Sequence, residues 1–194
     1  MKKTILFAMI FVFFACSSEE KITNDFLFEE YKNGDIITLE NVNGGSKTII
    51  RTQNGFVVKG EEDKILIFDF FGTFCAPCKE EAPHLTAFSK KYKDKLILIG
   101  LTHFENVDDD AVRQFATDYG AFYFLSNSKE NSRIINQALK DINYQSMEAL
   151  PFKVVLKNGI YQALSDFWNK GYKTKFYLGK IPTEFIENDI KNIF

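Results

Sequence analysis

The sequence predicts an α/β fold in which helices cover both faces of a central mixed sheet. Strand-like and helix-like segments alternate along the chain, and the first long strand-like segment is apolar on both of its faces. A strand of that kind must be covered on both sides. Near the C-terminus two further strand-like runs are joined by a two-residue turn. Alternation followed by a hairpin builds a mixed sheet between helices.

The first elements follow from turn signals and periodicity. From Asp35 the chain is β-branched and is interrupted at Asn43-Gly44-Gly45 and at Asn54-Gly55. These are hairpin signals, so we predict an N-terminal β-hairpin extension. Residues 65–71 are predicted to form the central strand. The stretch after Cys78 repeats apolar residues at helical spacing.

The remaining elements continue the alternation. Residues 96–101 form a second apolar strand, and Asp108-Asp109-Asp110 begins a helix with acids at its positive end. A short strand over residues 122–125 and a helix over 131–142 follow. After these, FKVVLKNGIYQAL contains two strand-like runs joined by Asn158-Gly159, and a final amphipathic helix begins at Pro182.

The N-terminus, MKKTILFAMIFVFFACSSEE, has two lysines before an apolar run that ends at Ala15. This is the layout of a secretory signal, and the run is about half of the roughly 20 residues that a membrane-spanning helix needs. Cys16 resembles the lipidated cysteine of a bacterial lipoprotein. An ordinary signal peptide cleaved nearby and an uncleaved short anchor are the alternatives. We expect a signal peptide at 1–15, a lipidated tether at 16–34 and the folded domain at 35–194.

Charge and cysteine content limit the range of possible functions. The net charge is −2, and no basic stretch is dense enough to follow a phosphate backbone, so nucleic acid is not an expected partner. Of the three cysteines, lipidation of Cys16 would leave only Cys75 and Cys78. Structural zinc needs four ligands, and His84 and His103 lie far apart in sequence, so neither a metal nor a cofactor is expected. Export would also let a disulfide between the two cysteines persist.

The two cysteines stand three residues apart at the start of a predicted helix. Residues at this spacing lie about 5–6 Å apart at Cβ, which is close enough for a disulfide. Pro77 suits the first helical turn because its missing N–H has no partner to lose there. The helix N-terminus favours a thiolate on the first cysteine. We therefore predict Cys75 as the nucleophile and Cys78 as its resolving partner.

DFFGTFCAPCKEEAP resembles the thioredoxin superfamily, and with the lipoprotein-like start it resembles the TlpA/ResA-like membrane-tethered thiol-disulfide oxidoreductases. The resemblance extends from about Asp35 to the C-terminus and implies a thioredoxin-like fold. It includes Pro83, five residues after the second cysteine, and LPFKVVLKNGIY, which is similar to the cis-proline and hairpin of that superfamily. The sequence departs from the family at three positions: Phe74 replaces the usual tryptophan, Ala76 a residue that is often acidic, and Leu150 a commoner threonine or valine.

The resemblance also implies roles for single residues. Asp69 matches the buried aspartate beneath the second cysteine of thioredoxin. Burial disfavours its charged form, which makes it a candidate proton acceptor and donor for Cys78. The alternative is that Asp69 only satisfies a nearby backbone group or water. Lys79, Glu80 and Glu81 are expected on a solvated helix face, and His84 on the surface.

The predicted substrate surface surrounds the cysteines. The resemblance implies a cis peptide bond before Pro151, opposite the cysteines, whereas the alternative is a trans proline at a strand entrance. Phe74 would form an apolar wall unless it belongs to the core. The full predicted substrate-binding set is Phe74, Ala76, Pro77, Leu150 and Pro151.

The implied function is that of an exported thiol-disulfide oxidoreductase. We expect it to reduce disulfides of exported proteins, with electrons from a membrane thiol-reducing donor and with cytochrome c maturation as one pathway. One alternative is a DsbA-like oxidase or isomerase, although Ala76-Pro77 lacks the histidine typical of strong oxidants. A redox-silent binding lipoprotein is the other. The segment 167–175 is expected to be a lengthened connection, which is either a recognition surface or only a loop.

Overall fold

The chain begins with a small antiparallel sheet. In a computed structural model, which describes residues 28–144 and 149–194, this sheet has the order β1-β2-β3. Its strands are β1 (Ile36–Glu40), β2 (Ser46–Arg51) and β3 (Phe56–Val58). The predicted N-terminal hairpin is confirmed and gains a third strand. The predicted signal peptide and Cys16 lie outside the described residues.

A mixed sheet forms the centre of the domain, as predicted. Its strands are β4 (Ile65–Phe71), β5 (Leu96–Thr102), β6 (Phe124–Ser126), β7 (Phe152–Lys157), β8 (Ile160–Tyr161) and β11 (Phe176–Leu178). The order is β11-β7-β4-β5-β6, and β8 pairs with β7. Strands β4, β5 and β6 are parallel, whereas β7 is antiparallel to both β4 and β11.

In the described part of the chain, four helices lie between these strands and after them. They are α1 (Ala76–Lys91), α2 (Asp109–Tyr119), α3 (Glu130–Asp141) and α4 (Thr183–Ile190). The Asp108 side chain caps α2 by accepting a hydrogen bond from the Ala111 N–H at 2.9 Å. Gly120 ends the same helix with a φ of +67°, a conformation that glycine adopts without steric cost.

The sheet separates two hydrophobic cores. On one side, β4 contributes Ile65, Ile67 and Phe71, which pack with α1, α2 and α4. On the other side, Leu66, Phe68 and Phe70 of the same strand pack with α3 and the N-terminal sheet. This alternation accounts for the apolar composition of β4 on both of its faces.

The segment after β8 is more structured than the sequence indicated. It contains a hairpin of β9 (Leu164–Ser165) and β10 (Lys173–Thr174), which leads into the edge strand β11. Strands of two or three residues are too short to produce a recognisable period. Most of the predicted connection over 167–175 therefore forms the turn between β9 and β10, and its last part contains β10.

The folded region begins before the predicted boundary at residue 35. Tyr31 is buried, its backbone N–H donates to Gln137 Oε1 at 2.9 Å, and its hydroxyl donates to Glu130. Arg133 lies over the ring, 3.9 Å from its centroid. Part of the predicted tether is thus packed on α3.

Within residues 28–144 and 149–194, no helix combines the length and apolarity that a bilayer crossing requires.

Candidate active site

Three chain segments meet at one edge of the central sheet. Parallel strands β4 and β5 end there together, with Phe71 opposite Thr102, and the His103 N–H donates to the Phe71 carbonyl at 2.8 Å. The antiparallel strand β7 begins at the same edge, with Phe152 opposite Phe70. This register brings the loop before α1 next to the segment that precedes β7.

The two cysteines form a disulfide at this edge. Their Cα atoms are 5.3 Å apart, and Cys75 is the N-cap of α1. The Cys78 N–H donates to Cys75 Sγ at 3.3 Å. Both residues are buried, with 6% of Cys75 and 3% of Cys78 exposed. In the reduced protein the same N–H would stabilise a thiolate on Cys75.

The predicted substrate residues surround the disulfide to different depths. Phe74 is 59% exposed, which excludes the alternative that it belongs to the core. Ala76 is exposed, whereas Pro77 and Leu150 are half-buried and Pro151 is buried. The predicted cis bond between Leu150 and Pro151 is confirmed.

The loop that carries the first cysteine is held by hydrogen bonds to Glu105, which lies in the loop after β5. The Thr73 N–H and hydroxyl donate to the two carboxylate oxygens of Glu105, at 2.8 and 2.6 Å. A Cβ on Gly72 would lie 2.6 Å from the Phe74 ring, so a glycine is required for the ring to pack there. These contacts orient the exposed face of Phe74 beside the disulfide.

Asp69 lies in the sheet on the same side as the active-site helix. It is 1% exposed, and its Oδ2 accepts a hydrogen bond from the Tyr123 hydroxyl at 2.9 Å. A Cβ on Gly100, the neighbour of Asp69 on β5, would lie 3.0 Å from the Tyr123 ring. The missing side chain of Gly100 therefore leaves the space that the tyrosine ring occupies.

A buried lysine joins Asp69 to the active-site helix. Lys153 is the cross-strand neighbour of Asp69 on β7 and has no exposed surface. Its Nζ lies 3.3 Å from Asp69 Oδ1 and donates a short hydrogen bond to Glu81 Oε1. The contact with Asp69 is an ion pair but not a hydrogen bond, and within the described residues Asp69 Oδ1 has no hydrogen-bond partner.

The prediction that Glu81 is solvated was wrong. It is 3% exposed, and at three residues after Cys78 it shares the buried face of α1 with that cysteine. The reason is the lysine on the sheet below, which compensates a carboxylate there. Glu80 is exposed as predicted and pairs with Lys180 at 2.7 Å, and His84 is also exposed.

Burial and mutual charge shift the protonation of this cluster. Burial raises the pKa of Glu81 to about 7, although Lys153 acts in the opposite direction. Burial alone would lower the pKa of Lys153, but the Glu81 and Asp69 carboxylates raise it by more. Burial and the nearby carboxylates raise the pKa of Tyr123. The cluster thus holds its lysine charged while one carboxyl can exchange a proton near neutral pH.

Lys153 is the residue that the sequence analysis overlooked. It stands in FKVVLK, a strand whose first five residues are all buried. The same signal that singled out Asp69, a charge inside an apolar strand, was present there.

Across the described ranges, no group of three or more histidine, cysteine or acidic side chains is arranged to hold a metal ion.

The sequence matches the thioredoxin family over residues 47–148, which is just over half of the chain. The chain belongs to the thioredoxin family. Thioredoxin-1 of Schizosaccharomyces pombe is 32% identical over 79 residues, which are 38% of this chain and 70% of that protein. Membership and the Cys-x-x-Cys pair make the chain a thiol-disulfide oxidoreductase, and the predicted family and activity are confirmed.

Solved structures agree with the thioredoxin-like fold. A thiol:disulfide interchange protein of the thioredoxin family from Chlorobium tepidum superposes with a TM-score of 0.56 at 14% identity, covering 85% of this chain and 97% of its own. StoA from Bacillus subtilis superposes with a TM-score of 0.53 at 14% identity, covering 81% and 97%. The predicted fold class is therefore confirmed.

Proposed function

We propose that this oxidoreductase reduces disulfides of exported proteins from a position on the outer side of a bacterial membrane. The main evidence for this chemistry is the Cys75–Cys78 pair at the N-terminus of α1, where Cys75 Sγ accepts a hydrogen bond from the Cys78 N–H. The proposed location rests on the signal-like N-terminus and on the position of Cys16, which resembles that of a lipidated cysteine. Fold neighbours named as thiol:disulfide interchange protein and StoA support the assignment.

The proposed reaction uses the two cysteines in turn. The Cys75 thiolate attacks one sulfur of a target disulfide, a mixed disulfide forms, and the other target sulfur leaves as a thiolate. Cys78 then loses its proton and attacks Cys75, which releases the reduced target and leaves the Cys75–Cys78 disulfide. A membrane thiol-reducing donor returns two electrons to that disulfide.

Asp69 is proposed as the proton acceptor and donor for Cys78. It lies on the α1 side of the sheet, and Lys153 links it to Glu81, which shares the buried face of α1 with Cys78. With both acids ionised, two carboxylates oppose one ammonium, so the cluster does not favour a further negative charge on sulfur. A less stabilised thiolate makes the disulfide harder to reduce, which favours a reductant over a DsbA-like oxidant.

The substrate surface is proposed to consist of Phe74, Ala76, Pro77, Leu150 and Pro151. The exposed ring of Phe74 and the segment before β7 lie at the same sheet edge as Cys75. A target in extended conformation could pair with the Leu150 backbone as an added strand does. Apocytochromes of cytochrome c maturation are among the candidate targets.

The reduction potential of the Cys75–Cys78 couple tests the proposed direction. The protein is equilibrated against dithiothreitol and glutathione buffers, with Cys78→Ala as the control that cannot form the couple. A value near about −270 mV, as in thioredoxin, is expected. A value near about −120 mV, as in DsbA, would make the protein an oxidase or isomerase. Absence of a reversible couple would favour the redox-silent binding lipoprotein.

Location is tested separately. Cells that express the chain with or without Cys16→Ser are labelled with radioactive palmitate and fractionated. Label and membrane association that both depend on Cys16 are expected. An unlabelled chain released in soluble form would indicate an ordinary cleaved signal peptide instead.

A further inference from the structure

The β9–β10 hairpin exposes two large aromatic side chains. Trp168 is 65% exposed and Tyr172 is 73% exposed, and both lie between the two strands of the hairpin. Exposed aromatic side chains that lie together often mark an interaction surface. Trp168 is the single tryptophan of the chain.

Trp168 lies close to the active-site edge of the sheet. Its indole N–H donates to the Leu178 carbonyl at 2.8 Å, and its ring would be 3.6 Å from a Cβ on Gly179. The Gly179 N–H donates to the Pro151 carbonyl, also at 2.8 Å. Two hydrogen bonds thus connect Trp168 to the residue that follows the cis bond opposite the cysteines.

The indole is held in place before any partner arrives. Asp166 Oδ1 accepts hydrogen bonds from the N–H groups of Trp168 and Asn169, at 2.9 and 3.0 Å. Phe167 packs edge-on against Trp168, with ring centroids 5.0 Å apart, and against Phe185 of α4 at 5.1 Å. A contact surface that is already ordered loses little entropy on binding.

The hairpin also carries unbalanced positive charge. Lys170, Lys173 and Lys175 are exposed, and within the described residues none of them forms an ion pair. Asp166 is the acid of this segment, and its oxygens accept hydrogen bonds from Trp168 and Asn169. Lys170 and Lys173 belong to the hairpin, and Lys175 directly follows β10. In a chain with a net charge of −2, this segment carries three lysines against one acid, and such positive charge attracts acidic segments.

A cleft beside the indole has room for a side chain. It has a volume of about 190 Å³ and lies between the hairpin and β11, with Trp168, Phe176 and Leu178 in its wall. This volume exceeds the roughly 150 Å³ of an apolar cavity that accommodates benzene, so the cleft has room for an aromatic ring, and Asp166, Asn169 and Thr174 add polar groups to its wall.

We propose that Trp168 and the lysines of the β9–β10 hairpin form a second contact surface for the protein substrate, beyond the cysteines and Pro151. The surface fits an acidic segment with an aromatic side chain, located a few residues from the target disulfide. This inference rests on the proposed function, because it selects among substrates of the same Cys75–Cys78 site.

Two matched peptides test the surface with the full-length protein. Each has one internal disulfide; one peptide carries phenylalanine flanked by two glutamates near the disulfide, and the other carries serine flanked by two lysines. Hydroxyethyl disulfide serves as a neutral small substrate. We expect kcat/KM of the wild type to be about five- to tenfold higher for the acidic aromatic peptide.

Variants assign this preference to the hairpin. Trp168→Ala and the combined Lys170→Gln, Lys173→Gln should each remove most of the preference and leave turnover of hydroxyethyl disulfide unchanged. Phe122→Ala is the matched control, because Phe122 is also an exposed aromatic residue, at 58% exposure. It directly precedes Tyr123 and β6, the strand at the edge of the sheet opposite to β11. The Phe122→Ala variant should change neither rate.

The outcomes separate this inference from the proposed function. Equal wild-type kcat/KM for both peptides, or a Trp168→Ala loss that includes hydroxyethyl disulfide, would overturn the inference. Failure of the wild type on all three disulfides would overturn the proposed function itself. Quenching of Trp168 fluorescence by vesicles of brominated phosphatidylglycerol would show that the hairpin faces a bilayer, and it would also overturn the inference. A blue shift of Trp168 emission when the acidic aromatic peptide is trapped on Cys78→Ser, without such a shift for the lysine peptide, would support it.

Discussion

Replacing Lys153 with methionine tests the electrostatic account of the buried cluster. Methionine retains a long unbranched side chain and removes the ammonium group. Lys153 Nζ contacts both Glu81 Oε1 and Asp69 Oδ1. The variant therefore leaves two buried carboxyl groups without a cation, while little volume is lost.

The size of the effect follows from burial. Removal of one partner from a buried ion pair costs about 3–5 kcal/mol, and this site is not screened by solvent because Lys153 has no exposed surface. We expect the free energy of unfolding at pH 8 to fall by that amount. At pH 5 Glu81 is mainly protonated, because its pKa is raised to about 7. The loss at pH 5 should therefore be smaller than at pH 8, because Glu81 then carries no charge to compensate, although the contact between Lys153 and Asp69 is still lost.

Urea unfolding followed by far-ultraviolet circular dichroism, with both proteins oxidised, measures this loss at the two pH values. Lys180→Met is the matched control, because Lys180 forms an ion pair with Glu80 in which both side chains are at least half exposed. The control should change stability by less than about 1 kcal/mol. A Lys153→Met loss below about 1 kcal/mol at pH 8, or equal losses at both pH values, would refute the reasoning.

Further predictions concern the same site. Folded Glu81 keeps its proton up to about pH 7, whereas the unfolded chain releases it near 4.5, so the folded state binds more protons between these values. The free energy of unfolding should therefore fall by about 3 kcal/mol as pH rises through this window, and Glu81→Gln should remove that part of the slope in urea titrations. Cys78→Ser should accumulate a mixed disulfide with a target and Cys75→Ser should not, as seen on non-reducing gels; the reverse pattern would exchange their roles. Glu105→Ala releases the Thr73 N–H and hydroxyl, and it should cost about 1 kcal/mol in urea unfolding and slow turnover of protein disulfides. Unchanged turnover would mean that the hydrogen bonds between Thr73 and Glu105 do not position the loop before α1.

Local signals were sufficient for the main elements of the fold. The apolar strand β4, the helix that begins after Cys75, the turn at Asn158-Gly159 and the N-terminal hairpin all followed from periodicity and turn chemistry. The disulfide also followed from a three-residue spacing at a helix start. Such features depend on residues that are close in sequence, so the sequence alone is enough to predict them.

The hairpin of β9 and β10 did not follow in this way. Its strands have two residues each, and they depend on contacts such as that of Asp189, which accepts hydrogen bonds from the Ser165 N–H and hydroxyl at 2.7 Å. The hairpin lies beside Pro151 because β11, the strand that follows it, pairs with β7. No local period records a pairing of that kind.

The sequence by itself determined the redox pair, the strand before it and the presence of a buried charge at Asp69. Only the tertiary structure decided how that charge is compensated. Glu81 and Lys153 are 72 residues apart, and neither the helix around Glu81 nor the strand around Lys153 indicates that the two side chains meet. They become a buried ion pair because β7 lies antiparallel to β4 beneath α1. Buried charges are stable only when paired, and pairing depends on distance in space, which the order of residues does not record.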